Sequence, residues 1–335
     1  MRIRQFLLVS AAALALSACS TLGLDTGKAA NASLNSGGAL QTNDPTGAPP
    51  VHLDAALDAS YGNYLNARLA ASQHDMDNAA KFYSASLAAD PTNPDLLARA
   101  FLYSVSAGDM DRAPKLAAQV VVNEPDNRAA RTTLAVDDIK NKDYQGARDQ
   151  LSKSAQGPFA ALTIELLNTW SAVGEGKTDM ALADLMLLKA QGGTDSLVAF
   201  HRALVFDLAG RESDADTAYR EALKATGNGP RIVEGYGRFL ERSGRTQDAK
   251  EFYAKLASDN ALQPIVEAAQ ARMETGAKPE RIVTSPQEGA AEAMFSIAAS
   301  LTDDSSADVS VLYLRFARYL RPQFDLADIL LADRL

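Results

Sequence analysis

Gly210-Arg-Glu-Ser-Asp-Ala215 and Gly244-Arg-Thr-Gln-Asp-Ala249 repeat one pattern 34 residues apart. Steps of 34 upstream reach Gly176 with Ala181 and Gly108 with Ala113, and the alanine column also includes Ala79 and Ala147. A fixed period of this length marks stacked helical pairs, none of which can bury its apolar face alone. The blocks 60–93, 94–127, 128–161, 162–195, 196–229 and 230–263 each read as helix A, a tight turn, helix B and a short connection. The turn column holds His74-Asp75, Gly108-Asp109, Lys142-Asp143, Gly176-Lys177, Gly210-Arg211 and Gly244-Arg245. Glycine there takes the left-handed conformation that closes a helix. Glycine is only 21 of 335 residues, so four in one column is not an effect of composition. No insertion interrupts the blocks; one extra residue would rotate every later side chain by about 100° and break the stack.

The pattern resembles the tetratricopeptide repeat (TPR) family. That family wants small residues at positions 8 and 20, where helices A and B touch. Position 20 is the alanine column; position 8 reads Ala67, Phe101, Ala135, Thr169, Ala203 and Gly237, with Phe101 departing. Position 24, large in the family, reads Tyr83, Ala117, Leu151, Leu185, Tyr219 and Tyr253. Pro91 and Pro125 match the proline of position 32, and the Trp or Leu of position 4 is mostly missing. The resemblance implies an all-α helix-turn-helix solenoid, a right-handed superhelix of stacked pairs with partners held in its concave face. The solenoid is expected over 53–275, as the repeats plus a helix at Gln263–Thr275. A degenerate helical region follows over 276–335: a loop to Gln287, a helix pair at Glu288–Leu301 and Ala307–Leu320, and a new helix from Phe324. Val283, the next expected member of the alanine column, falls in the Pro-flanked loop. The chain stops in Ile329-Leu330-Leu331 with no helix B to cover that face, whereas terminal repeats are normally polar outside. The expectation is that the native protein continues with further repeats.

The N-terminus carries a different message. Met1-Arg-Ile-Arg4 is a basic start, and Phe6–Leu16 is an uncharged apolar run of signal-peptide length, too short to span as a stop-transfer helix. It ends in Leu16-Ser17-Ala18-Cys19, which resembles the lipobox of bacterial lipoproteins. The resemblance implies a signal peptide over 1–18, cleaved before Cys19, with diacylglycerol and a further acyl chain such as palmitate at that cysteine. Only a thiolate is nucleophilic enough for that step, and Cys19 is the sole cysteine. Two or three acyl chains anchor a protein stably. A plain secretory signal with an incidental Cys19 is the alternative. Ser20, rather than Asp, points by the same resemblance to the periplasmic face of the outer membrane. Residues 19–52 are rich in Gly, Ser, Thr, Asn and Ala without apolar periodicity and read as a flexible tether, about 30 Å in r.m.s. span.

Chemistry is hard to find. The net charge is -9, or -11 without Arg2 and Arg4, which leaves no electrostatic footprint for nucleic acid. Gly174-Glu-Gly176-Lys177-Thr178 resembles the end of a phosphate-binding loop, but Ser171 stands where the first glycine belongs and the segment lies between two helices in repeat register. Gly235-Tyr-Gly237 lacks the third glycine of a dinucleotide loop and marks close helix packing. His52, His74 and His201 are scattered, without a second ligand at metal-site spacing. No catalytic residue, metal, cofactor or small-molecule substrate is expected.

What remains is a surface for protein partners. The family's groove positions on helix A place Val136, Leu166, Trp170, Phe200, His201 and Leu204 in the middle blocks, Tyr61, Tyr64 and Arg68 in the first, and Arg238 in the charged sixth. Tryptophan and tyrosine carry binding energy disproportionately, so Trp170 is the candidate anchor. Two other arrangements fit the same stripe: it is core, or the chain's own tether or C-terminal helices fill the groove. The expected function is a non-catalytic scaffold or adaptor for other envelope proteins or peptides. The alternatives are an accessory subunit, or the N-terminal part of a larger envelope enzyme or assembly machine (outer-membrane barrel, pilus or secretin, peptidoglycan synthesis), or a structural self-assembling protein.

Overall fold

The computed structural model describes residues 55–190, 194–303 and 306–335, so the expected signal peptide, Cys19 and the tether lie outside the described residues. Among those described the structure is helical throughout, without strands. The A helices are α1 (Ala55–Ser72), α3 (Pro94–Ala107), α5 (Arg128–Lys140), α7 (Pro158–Gly174), α9 (Asp195–Leu208) and α11 (Pro230–Arg242). They alternate with the B helices α2 (Met76–Ala89), α4 (Ala113–Asn123), α6 (Tyr144–Ser152), α8 (Thr178–Ala190), α10 (Glu212–Thr226) and α12 (Thr246–Ala254). Then come α13 (Gln263–Thr275), α14 (Pro286–Ser300), α15 (Ala307–Leu320) and α16 (Asp325–Arg334). Each A helix packs on its own B helix and on the helix before it, giving the TPR-type solenoid that the period implies.

The turn column behaves as one motif whether or not it holds glycine. Gly108, Gly176, Gly210 and Gly244 have φ between 73° and 79°, and His74 and Lys142 follow at 57° and 65°. In each turn the next residue's N–H reaches back five residues: Asp75 to Ala70, Asp109 to Ser104, Asp143 to Asp138, Lys177 to Ala172, Arg211 to Phe206 and Arg245 to Leu240, at 2.8–3.0 Å. This is the hydrogen bond that satisfies the last carbonyls of a helix ended by a left-handed residue. Five residues on, all six alanines of the column are fully buried. Small side chains are needed where the pair closes: a Cβ at Gly237 would sit 1.9 Å from the Tyr253 hydroxyl. The departing Phe101 is matched by the small Ala117 at position 24, both buried, so the bulk has moved from helix B to helix A.

α13 extends the stack against α11 and α12. The next helix pair does not stack on as a further repeat. α14 lies on α7, α9 and α5, and α15 lies on α3 and α5, all of them A helices. The two turn back into the inner face. The connecting loop is fastened on the way: Ile282 and Val283 are buried, and Arg281 Nε donates to the Asp207 backbone oxygen at 3.1 Å and to its carboxylate at 3.2 Å. α16 packs on α15, burying Ala327 and Leu331 and leaving Leu326 and Ile329 exposed.

Candidate functional site

The candidate site is the inner face of the A helices, and its centre is closed. Trp170, Val136, Leu166 and His201 are fully buried, and Phe200 and Leu204 nearly so. The expected open groove is replaced here by the arrangement in which C-terminal helices fill it. The physical reason is the close fit of α14. A Cβ at Gly289 would fall 2.1–2.3 Å from three atoms of the Trp170 indole, so only glycine allows the helix to seat on the tryptophan. Ala290, Ala291, Ala293 and Ala298 keep the rest of α14 slim, and all are fully buried.

Polar contacts fix the register of the fold-back. Thr163 Oγ1 and Tyr313 Oη are 2.8 Å apart, the Tyr319 hydroxyl donates to Asp137 Oδ1 at 2.7 Å, and Arg315 Nε donates to the Ser106 carbonyl at 2.9 Å. Glu292, fully buried on α14, receives both arms of Arg231 at 2.8 and 2.6 Å. Arg231 also donates to Glu234 at 2.7 Å, and Glu234 accepts from Arg238 at 2.6 Å. The chain Glu292–Arg231–Glu234–Arg238 therefore links the inserted helix to α11. A buried carboxylate needs such a partner, since an unpaired one carries a large desolvation penalty.

Trp170 Nε1 donates to His201 Nδ1 at 3.2 Å, and the two rings meet edge to face. That bond puts the imidazole proton on Nε2, which has no partner. Burial holds the His201 pKa down at about 3; the ring is neutral and packed away from solvent. On α5, Asp138 is pushed the other way, up to about 6, first by burial and then by Asp143 and Asp137.

The ends of the inner face stay open. At the N-terminal end Tyr61 and Arg68 are exposed, and Tyr64 is half-buried, its ring edge-on to Tyr83 at 6.0 Å. At the C-terminal end a cleft of about 650 Å³ runs between α11, α13 and residues 321–326, lined by Arg231, Arg238, Arg272 and Arg321 with Phe295 and Phe324. It continues past Pro230 and Phe295 into a hollow of about 510 Å³ reaching Phe200 and Leu197. The sequence reading placed Arg238 in this region but missed Arg272 and Arg321, which lie after the period is lost. It also missed Gly289 and Glu292; a glycine followed by small residues and one acid in α14 was the available signal.

The phosphate-loop fragment resolves as a repeat turn. Gly176 is the left-handed residue between α7 and α8, Lys177 pairs with Glu175 at 3.2 Å, and a Cβ at Gly174 would strike the Tyr144 ring. Among the described residues no group of His, Cys, Asp and Glu side chains could hold a metal, and no helix is long and apolar enough to cross a membrane.

No family model matches the chain, and no curated protein matches it in sequence. Solved structures align with it at low identity. Pseudomonas aeruginosa pilF is 13% identical over 65% of this chain and 99% of its own, with a TM-score of 0.43. A tetratricopeptide repeat protein from Parabacteroides merdae is 11% identical over 77% of this chain and 99% of its own, with a TM-score of 0.49. The TPR domain of P58(IPK) is 15% identical over 80% of this chain and 90% of its own, at 0.27.

Proposed function

We propose that this chain is a non-catalytic scaffold of the bacterial cell envelope, anchored by lipid at Cys19 on the periplasmic face of the outer membrane. It holds partner proteins or peptides at the C-terminal end of its inner face. One observation carries the binding part of this reading: the cleft of about 650 Å³ lined by Arg231, Arg238, Arg272 and Arg321, with Glu234 and Asp325, and by the apolar Ile265, Phe295 and Phe324. Concave, largely apolar sites with a few convergent polar groups are where ligands bind, and arginine and aromatic side chains anchor protein interfaces. Trp170 has no such role here, since α14 covers it. The anchoring part is supported by Leu16-Ser17-Ala18-Cys19 and the following Ser20.

The test is photo-crosslinking in cells from a probe at Arg238, with a probe at Trp170 as comparator. Crosslinks from Arg238 to another envelope protein, with crosslinks from Trp170 confined to the chain itself, are the expected result. If Arg238 also reaches only this chain, the cleft is not a partner site. Labelling with a palmitate precursor tests the anchor separately: incorporation that persists in Cys19→Ala removes it.

A further inference from the structure

The connection between α10 and α11 is Gly227-Asn228-Gly229. Of the asparagines in the 335 residues, Asn228 alone is followed by glycine. Gly227 closes α10 in the left-handed region at φ 63°, and Asn228 follows at φ 70°, one of three non-glycine residues with positive φ among those described. Gly229 then turns to φ -52°, and its carbonyl accepts the Ile232 and Val233 N–H groups, each at 3.0 Å, to start α11. Asn228 is exposed, and no hydrogen bond from a described residue holds its carboxamide. Four other asparagines are held by theirs: Asn78 donates to Asp75 at 2.7 Å, Asn93 to Asp90 at 2.9 Å, Asn127 to Glu124 at 2.6 Å and Asn141 to the Asp137 carbonyl at 2.9 Å.

We propose that Asn228 is a site of spontaneous deamidation, converted to aspartate and isoaspartate as the folded protein ages. Attack on a side-chain amide by the next backbone nitrogen is hindered by that residue's Cβ, and glycine has none. The Gly229 nitrogen gives its proton to solvent base and attacks Asn228 Cγ. The N–Cγ bond forms, the Cγ–Nδ2 bond breaks, and ammonia leaves a succinimide ring. Water then opens the ring at either carbonyl. Cleaving N–Cγ leaves aspartate; cleaving the nitrogen's bond to the main-chain carbonyl carbon leaves isoaspartate, whose backbone runs through Cγ. One water is consumed and one ammonia released, with no oxidant or reductant. Both products put a carboxylate just ahead of α11, at the end of a helix that favours negative charge. Isoaspartate also adds one methylene to the backbone at the joint between the fifth and sixth pairs. Gly229 and Pro230 border the hollow of about 510 Å³, so its rim differs between new and aged molecules. The reaction stands whether or not the neighbouring cleft binds a partner.

The full chain is purified, held folded at mildly alkaline pH and sampled over days. Each sample is digested with trypsin at mildly acidic pH, where the reaction is slow, and the peptide 225–231 is followed by mass. Enzymatic methylation of that peptide detects isoaspartate. Asn260, exposed in a loop and followed by Ala261, is the comparator. The expected result is conversion of Asn228 about tenfold faster than Asn260 or more, since only the second meets a Cβ, with isoaspartate among the products. Gly229 has an ordinary φ of -52° that any residue adopts. Gly229→Ala is therefore expected to keep the fold and to slow conversion of Asn228 by about tenfold. Equal rates at Asn228 and Asn260, a product free of isoaspartate, or a rate unchanged in Gly229→Ala each overturns the assignment.

Discussion

Positions 12 and 24 of the repeat divide the solenoid into two chemical halves. In the first four pairs they hold Ala71 with Tyr83, Val105 with Ala117, Ile139 with Leu151, and Val173 with Leu185. In the last two they hold Asp207 with Tyr219 and Glu241 with Tyr253. Each of these carboxylates accepts from the phenol of its own B helix, at 3.3 and 2.9 Å. Each also takes a guanidinium from the helix that follows its pair: Arg242 of α11 at 2.6 and 2.9 Å on Asp207, Arg272 of α13 at 2.8 and 3.1 Å on Glu241. The turn residue changes as well, one pair earlier, from Asp in the first three pairs to Lys or Arg in the last three. Asp75, Asp109 and Asp143 accept from the N–H three residues on, and Asp75 and Asp143 so cap α2 and α6. Arg211 and Arg245 cannot accept, and instead donate to Asp214 and Asp248 three residues on. One backbone geometry is thus met by apolar packing in one half, and by buried ionic contacts in the other. The ionic half also receives ion pairs from the fold-back, Arg281 on Asp207 and Glu292 on Arg231, whereas its bonds to the apolar half, through Tyr313, Tyr319 and Arg315, are not ion pairs.

The sharpest way to break this comparison is to remove one residue from each half. Asp207→Ala strips the acceptor from Tyr219, Arg242 and Arg281 together. Losing one side of a buried ion pair costs about 3–5 kcal/mol. At the equivalent position of the apolar half, Ile139→Val removes one methylene and costs about 0.5–1.5 kcal/mol. Denaturant midpoints measure both. Equal losses would show that the two halves are held in the same way.

Acid should then act on the halves with opposite signs. His201 has a folded pKa of about 3, below its ordinary 6.5. The unfolded chain therefore binds the extra proton, and the stability this residue contributes is full above about 6.5 and drains away as pH falls toward 3. Asp138 has a folded pKa of about 6, above its ordinary 3.8. There the folded chain binds the extra proton, so stability rises as pH falls through that window. Hydrogen exchange at pH 7 and pH 4.5, corrected for intrinsic rates, is expected to show α9 and α14 losing protection relative to α5. Uniform loss along the chain would contradict the assignment.

The solenoid was legible because its rules are local. The turn column fixed the helix phase so firmly that His74 and Lys142 adopt the left-handed backbone without being glycine. The site was less legible because an apolar stripe on helix A looks the same whether it faces a partner or an inserted helix. Trp170 and Leu166 satisfy either reading. What decides between them is remote in sequence: Gly289, whose missing Cβ makes room for the indole, and Glu292, whose only reason to be an acid in an alanine-rich helix is Arg231 on another element. Contacts across such separations leave no periodic trace. Arg272 and Arg321 escaped for a similar reason, since they join the cleft only after the chain has left its period.

The smallest expected effect tests the turn column itself. Gly244 has φ 73° with nothing within 4 Å of where a Cβ would stand, so Gly244→Ala meets only the conformational penalty of a left-handed residue, about 1–2 kcal/mol. Lys142 already bears that penalty at φ 65°. Lys142→Gly removes it but loosens the unfolded chain, an opposing effect of about 0.4–1 kcal/mol. The net change is a gain of about 0–1.6 kcal/mol, read as a small rise in the denaturant midpoint at unchanged slope. The substitution also leaves Asp143 capping α6 through the Gly146 N–H at 2.9 Å, so the cap contributes nothing to the difference. A loss of stability from Lys142→Gly would mean that the lysine side chain, and not the turn geometry, holds the apolar half at that point.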